Sequence, residues 1–211
     1  MTQHTYREIL SPEQDVFDGL LFIPDISGFT ELVHSTDVQT GKQITCELLS
    51  AIINENILEM EIAEIEGDAV LFYRNGVAPG PRQLFQQYEK MTISFEAKCK
   101  ELQRKFSMPL NLSLKVIAHY GPMSDFKINS FKKLYGEVVV EAHRLLKNSI
   151  DSNSYLLLTD SLFKRPHSLF DDELLQHGIR SNKLCEVYGG LRNICFTYFD
   201  FSERRSRKLV A

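Results

Sequence analysis

The chain has 211 residues, of which 43% are hydrophobic and 25% are charged. This length fits one compact domain with a substantial core, and the composition is that of an ordinary soluble globular protein. Its 24 basic and 28 acidic side chains give a formal net charge of −4. A mildly acidic chain without a broad basic stripe is a poor match for a protein whose main partner is a nucleic-acid polymer.

Hydrophobic periodicity divides the chain into a lead-in over residues 1–19, a single domain over residues 20–202 and a basic tail over residues 203–211. Strands are predicted where apolar residues run together or alternate, and helices where they recur every three to four residues. The predicted elements, in chain order, are a strand at 20–26, a helix from the cap candidates at 35–37 to residue 53, strands from 58 to the turn at 67 and at 69–73, a long helix through 84–106, strands at 110–118 and 126–134, a helix at about 138–148, and strands at 155–158 and 194–201.

This order of elements predicts an α+β fold with a mostly antiparallel sheet and helices packed on one face. Two local features add detail to this predicted fold. The apolar alternation slips by one residue at Ala63, and Gly121-Pro122 is expected to turn one strand towards the next.

The basic residues of the tail favour a solvated segment over an anion-binding arm. They are Arg204, Arg205, Arg207 and Lys208.

The cysteines, Cys46, Cys99, Cys185 and Cys195, have neither CxxC spacing nor the neighbouring histidines of a zinc site. We therefore expect free thiols in a reducing cytosol. The chain also shows no N-terminal charged-then-apolar signal and no apolar run that could cross a bilayer. Together these features predict a cytoplasmic protein.

Two short stretches each place an aspartate at the end of a predicted strand. Asp25 ends the strand that begins with the apolar run 20–23, and residues 28–30 then open a turn into a helix with free backbone amides. Asp68 follows Gly67, where an acidic strand breaks before an apolar one. Two carboxylates beside amide donors can hold a divalent metal ion and a polyphosphate together. The pair therefore points to nucleotide chemistry.

These stretches resemble the two metal motifs of the class III nucleotidyl cyclases, the adenylate and guanylate cyclase family. Residues 25–30 match the end of the motif FxDIxGFT, with Ile23 at its leading Phe, and residues 65–69 resemble IGDA with Glu66 as a polar variant. Three later segments also resemble this family, in the expected order and out to residue 201. They are the His-x-Gly-Pro pattern at 119–122, the GDxVNxASR-like segment at 135–144 and the TYF at 197–199. The helix sequence AHRLLKN at 142–148 is most similar to small stand-alone bacterial relatives.

The resemblance implies the fold and the chemistry of that family. The fold would have a ferredoxin-like βαββαβ core. Asp25, Asp68 and the backbone of Ile26 would bind two Mg²⁺ or Mn²⁺ ions, one at the ribose 3′-hydroxyl and one at the triphosphate of a nucleoside triphosphate. Gly28, Phe29 and Thr30 would cradle phosphate. The sites would form at the interface of a homodimer, with base-reading groups supplied by the other subunit.

The predicted helix at about 138–148 matches the cyclase family at one functional position and differs from it at another. The transition-state arginine of the family corresponds to Arg144, which can neutralise developing phosphate charge. The family's asparagine, four residues earlier, is Val140 here, which has no hydrogen-bonding side chain. An exposed helical arginine without a catalytic role is the alternative interpretation of Arg144.

The two base-reading positions correspond to Glu64 and Lys133. A carboxylate accepts hydrogen bonds from the N1–H and 2-amino groups of guanine together, and a lysine can donate to its O6, so guanine is slightly favoured. The alternative is that Glu64 and Lys133 simply pair with each other across the interface.

Three further residues, Arg192, His119 and His143, are candidates for functional roles. The family's VKGKG loop corresponds to residues 187–192, where the phosphate-binding lysine is missing and Arg192 is a substitute or an ordinary surface residue. His119 and His143 are interpreted as structural, because no ligand partner lies at a convincing spacing.

The residues therefore predict a class III nucleotidyl cyclase-like protein that forms a 3′,5′-cyclic nucleotide and pyrophosphate. The alternative is a catalytically silent homologue that binds a nucleotide or a protein partner as a regulatory module. An RNA-binding domain on a ferredoxin-like sheet is a weaker alternative, because neither exposed aromatics on central strands nor a basic surface is visible.

Overall fold

The computed structural model describes residues 16–163, 180–190 and 192–202. Most of the predicted lead-in and all of the basic tail lie outside the described residues. The elements are β1 (Phe17–Ser27), α1 (Phe29–Ser35), α2 (Val38–Ile53), β2 (Glu61–Glu66), β3 (Ala69–Asn75), α3 (Pro81–Phe106), β4 (Ser113–Ile128), β5 (Phe131–Tyr135), α4 (Glu137–Leu145), β6 (Tyr155–Thr159), β7 (Arg180–Val187) and β8 (Asn193–Asp200).

The strands form one sheet in the order β2-β3-β1-β4-β6-β8-β7, with β5 paired to the distal end of β4. Every pairing in the described chain is antiparallel except that of β4 with β6. The first four strands with α2 and α3 form the βαββαβ unit, in the strand order β2-β3-β1-β4. The predicted α+β class with a ferredoxin-like, mostly antiparallel core is confirmed.

Alternate residues of β1 serve two separate cores. Leu20 and Phe22 pack with the apolar stripes of α2 and α3, which cover one face of the sheet. Leu21 and Ile23 point to the opposite face, where they pack with Val138 of the short helix α4. Because side chains alternate along a strand, β1 is buried on both faces and fixes the residues that follow it.

Two local features of the fold follow from the sequence: the start of α2 and an irregularity in β2. The Asp37 carboxylate accepts hydrogen bonds from the amides of Gln39 and Thr40 and caps α2. The ladder between β2 and β3 shifts register between Ile62 and Glu64, so the predicted slip at Ala63 is a β-bulge.

The predicted turn at Gly121-Pro122 is wrong. β4 continues through these residues to Ile128, and Pro122 lies opposite Asp18 in the ladder with β1. The chain instead turns at residues 129–130, where Asn129 has a φ of 55°. A Gly-Pro pair signals a turn when the local sequence is considered alone. Here the pairing of both residues with β1 keeps the chain extended.

The expectation of four free thiols is wrong for one pair. Cys185 on β7 and Cys195 on β8 are register partners in a hairpin and form a disulfide. β7 itself was not predicted, so the spacing of ten residues gave no sign that the two side chains face each other. Cys46 is exposed and Cys99 is buried.

None of the helices in the described part of the chain has the length and apolar character needed to cross a membrane.

Candidate functional site

Asp25 lies near the end of β1, between two neighbouring strands. Its register partners are Ala69 on β3 and Lys115 on β4. The Lys115 ammonium is 3.6 Å from the Asp25 carboxylate, and the two side chains are 21% and 15% exposed. A positive charge therefore accompanies Asp25 in a largely buried setting.

Asp68 lies in the tight turn between β2 and β3, where Gly67 adopts a φ of 61°. The backbone joins this turn to the end of β1, because the Ile26 amide donates to the Asp68 carbonyl at 3.2 Å. The structure thus brings the two predicted aspartate motifs together. Strand pairing between β1 and β3 is the physical cause.

The electrostatics of the two carboxylates are linked. Burial raises the pKa of Asp25, the Lys115 ammonium partly offsets this, and the nearby Asp68 charge raises the pKa further. Burial also raises the pKa of Asp68, and Lys115 again opposes the change. Two ionised carboxylates repel each other here, and a divalent cation would relieve that repulsion.

The oxygen donors here fit a metal ion that a ligand's phosphates also hold. Among the described residues, no group of three or more His, Cys, Asp or Glu side chains could enclose a metal. Mg²⁺ is commonly held by one or two carboxylates together with water and the phosphates of a substrate. Asp25, Asp68 and the backbone of Ile26 match that pattern.

Gly28 allows the chain to turn sharply from β1 into α1. Its φ is 89°, and a Cβ at this position would lie 2.5 Å from the backbone oxygen of Asn111. Any other residue would therefore strain the turn. Gly28 and Thr30 are exposed, whereas Phe29 packs against the core.

Arg144 and Val140 lie on one exposed face of α4, four residues apart. Val140 is 49% exposed although it is apolar. Among the described residues, Arg144 forms no ion pair with Asp25 or Asp68. Within the described chain, Arg144 is therefore not paired with either carboxylate.

Glu64 on β2 and Lys133 on β5 form an ion pair of 2.9 Å within the chain, with side chains 33% and 47% exposed. The two predicted base-reading residues are thus neighbours. In the single chain this pairing is intramolecular.

Sequence reasoning missed two groups. Lys115 is in contact with Asp25, but only the pairing of β1 with β4 reveals this. The second group is Glu141 on α4, whose buried carboxylate contacts both His119 and Arg192. Its position in an otherwise apolar helix face was the signal available in the sequence.

A family model described as "Protein of unknown function (DUF2652)" matches residues 45–155, just over half of the chain. The chain belongs to this family. It is also 31% identical over 124 residues to "Uncharacterized protein Rv2561/Rv2562" of Mycobacterium tuberculosis (strain ATCC 25618 / H37Rv). That match covers 54% of this chain and 56% of the relative, so the chain spans about half the length of the curated relative.

Solved structures with the same fold are catalytic domains of nucleotidyl cyclases. The adenylyl cyclase CyaB from P. aeruginosa has a TM-score of 0.57 at 16% identity, covering 89% of this chain and 96% of that one. The guanylyl cyclase Cya2 gives 0.64 at 10% identity, covering 89% and 94%. The guanylate cyclase domain of RhGC from Catenaria anguillulae, solved with GTP, gives 0.54 at 15% identity, covering 87% and 96%. At such identities the similarity establishes a cyclase-like fold.

Proposed function

We propose that this chain is a metal-dependent nucleotidyl cyclase, which converts a nucleoside triphosphate to a 3′,5′-cyclic nucleotide and pyrophosphate. One observation carries the proposal: β1 and β3 bring Asp25 and Asp68 together at one end of a cyclase-like fold. The Asp68 charge raises the pKa of Asp25, and a divalent cation between the two carboxylates would relieve this repulsion.

Asp25, Asp68 and the backbone of Ile26 would hold two Mg²⁺ or Mn²⁺ ions. When bound, such ions activate an attacking hydroxyl and neutralise charge on the transferred phosphoryl group. Gly28, Phe29 and Thr30 would cradle phosphate through backbone amides at the start of α1, where Gly28 and Thr30 are exposed.

Lys115 gives the site a positive charge before any metal is present. Its ammonium lies beside Asp25 and also lowers the pKa of Asp68. In the nucleotide complex this ammonium would face the triphosphate as well as the carboxylates, and so help to hold the anionic substrate.

Arg144 would neutralise charge that develops on the phosphates. Because Arg144 forms no ion pair with Asp25 or Asp68 among the described residues of its own chain, the proposal places it in the site of a second subunit. Val140 offers no hydrogen bond on the same face, so turnover is expected to be slow.

Exposed apolar side chains support a homodimer. They lie on the β4–β5 hairpin, where Lys133 pairs with Glu64 of β2. These side chains are between 36% and 69% exposed. They are Phe126, Ile128, Phe131 and Tyr135. Apolar residues on neighbouring strands of this kind mark an association surface, and a second copy of the chain is the proposed occupant.

Glu64 and Lys133 are the proposed base-reading residues, with guanine slightly favoured. Because the two side chains already pair, a guanine would have to share or open that ion pair. Base discrimination is therefore expected to be modest.

The test is an assay of the purified chain with Mn²⁺ and each of ATP, GTP, CTP and UTP, with product identified by mass spectrometry. We expect one cyclic nucleotide with release of pyrophosphate, and loss of both products in Asp25→Ala. Product formation that persists in Asp25→Ala would contradict the proposed site.

A catalytically silent module is the second candidate, and the exposed Val140 in place of a hydrogen-bond donor favours it. Removal of one such donor typically lowers a rate by about two to three orders of magnitude. If this candidate holds, the wild-type chain binds nucleotide without turnover, and Val140→Asn gains activity. Val38→Asn, at another exposed helical valine, is the matched control.

A further inference from the structure

The carboxylate of Glu141 is fully buried at the middle of α4, one residue after Val140 and three before Arg144. Arg192 binds it in a bidentate manner, with Nε donating to Oε1 at 2.6 Å and Nη2 to Oε2 at 2.9 Å. His119 Nε2 lies 2.8 Å from the same Oε2. A buried carboxylate with three charge-assisted or polar contacts is a strongly directional anchor.

The protonation of this cluster follows from its contacts. Burial alone would raise the pKa of Glu141, but the hydrogen bonds from His119 and Arg192 lower it to about 2. An ionised carboxylate only accepts hydrogen bonds, so His119 must carry a hydrogen on Nε2. The other ring nitrogen, Nδ1, lies 2.8 Å from the Thr159 hydroxyl and thereby fixes the ring.

Arg192 belongs to the turn between β7 and β8, and this hairpin contacts α4 at a second point. The Glu186 carboxylate accepts hydrogen bonds from the backbone amide of Ser149, at 3.0 Å, and from its hydroxyl. Ser149 lies just beyond the end of α4. The hairpin, closed by the Cys185–Cys195 disulfide, therefore holds α4 at its middle and beyond its C-terminal end.

The apolar contacts of α4 do not fix its rotation to the same degree. Val138 and Ala142 pack into the small core beside Leu21 and Ile23, and Leu145 packs into a neighbouring cluster. Such contacts are non-directional. A bidentate ion pair to a buried carboxylate has one geometry. Any movement of α4 that breaks the pair also displaces Arg144, which lies on the same short helix.

We propose that Glu141 and Arg192 are positioning residues that fix α4, and with it Arg144, through the β7–β8 hairpin. The inference rests on the proposed function, because it assigns Arg144 to the reaction. It also gives Arg192 a partner other than phosphate: its guanidinium is engaged by Glu141, so the arginine is no substitute for the missing phosphate-binding lysine.

The test compares Arg192→Gln and Arg192→Lys with wild type, by amide hydrogen exchange of α4 and by steady-state kinetics with the nucleotide that the chain turns over. In Arg192→Gln, exchange in α4 should rise about tenfold or more while β1 and β3 keep their protection. The kcat should fall about tenfold or more with KM changed less than about twofold, and Lys should restore part of the kcat. Arg104→Gln, at an exposed helical arginine, is the matched control.

A double variant separates positioning from stability. Glu141→Gln with Arg192→Gln removes both charges, so no buried carboxylate is left without its partner. We expect it to recover the thermal midpoint that Arg192→Gln loses, but not the kcat. Full recovery of kcat in the double variant would overturn the positioning role.

The two proposals fail in distinguishable ways. Unchanged exchange in α4 of Arg192→Gln overturns the positioning role whether or not the chain is an enzyme. A higher KM with unchanged kcat and exchange also overturns it, and would assign Arg192 to substrate binding. Absence of turnover in wild type, with faster α4 exchange in Arg192→Gln, overturns the proposed cyclase activity and leaves the structural anchor established.

Discussion

The metal-free fold disfavours the ionised form of the Asp25 and Asp68 carboxylates. Burial raises the pKa of each, and the charge of Asp68 raises that of Asp25 further. A side chain kept ionised at such a position costs stability, which is common for residues that serve a site and not the fold.

This conflict predicts that Asp68→Asn stabilises the metal-free protein by about 0.5–1 kcal/mol at pH 7. A carboxyl whose pKa is raised by folding destabilises the native state above that pKa, and the cost vanishes as pH falls and the group is protonated. The advantage of the variant should therefore shrink from pH 7 towards pH 4. Urea unfolding at both pH values measures it. A variant less stable than wild type at pH 7 would contradict the electrostatic account.

The two aspartates could be predicted from the sequence, because their motifs are local and occur in a recognisable order. Lys115 could not, because its contact with Asp25 exists only through strand pairing. The same holds for Glu141, whose partners His119 and Arg192 are distant in the chain.

At the level of secondary structure, long periodic segments were predicted well. The stripe on α3 is unambiguous because buried residues recur from Leu84 to Leu102 along this 26-residue helix. The Gly-Pro turn was wrong, because an extended ladder with β1 overrides a local preference. β7 was missed, because an edge strand with many polar residues has a weak pattern.

We expect the ion pair between α4 and the β7–β8 hairpin to be lost in acid. The pKa of Glu141 falls from an ordinary 4.5 to about 2, so its ionised form stabilises the native state above pH 4.5, and this contribution is lost as pH falls towards 2. Arg192→Gln removes a stabilising partner, so it should raise the pH at which the fold is lost. Circular dichroism during acid titration measures this. Coincident titrations of variant and wild type would contradict the assigned pair.

The proposed homodimer depends on the exposed apolar side chains of the β4–β5 hairpin. Phe131 and Tyr135 are each 69% exposed on β5, which is short and pairs with the far end of β4. Because Arg144 forms no ion pair with either aspartate in the described chain, the proposal places the arginine of a second subunit in the site.

Phe131→Glu is therefore expected to convert a dimer to a monomer and to abolish turnover, while the fold is retained. A charge at this position would be buried against a second copy without a partner. Sedimentation velocity gives the assembly state and circular dichroism gives the fold. Val77→Glu, at an apolar residue 84% exposed elsewhere, is the control. A wild-type chain that sediments as a monomer, or an unchanged dimer in Phe131→Glu, would reject this surface.

In the proposed function, Asp25 and Asp68 hold divalent ions together with a nucleoside triphosphate. The measurement that tests this most directly is Mn²⁺ binding by electron paramagnetic resonance, with and without GTP or ATP, in wild type and in Asp25→Asn. With only two carboxylates in the donor set, we predict weak Mn²⁺ uptake alone, at least tenfold tighter uptake with a triphosphate, and loss of that gain in Asp25→Asn. Equal uptake by wild type and Asp25→Asn, or no effect of any triphosphate, would contradict the claim.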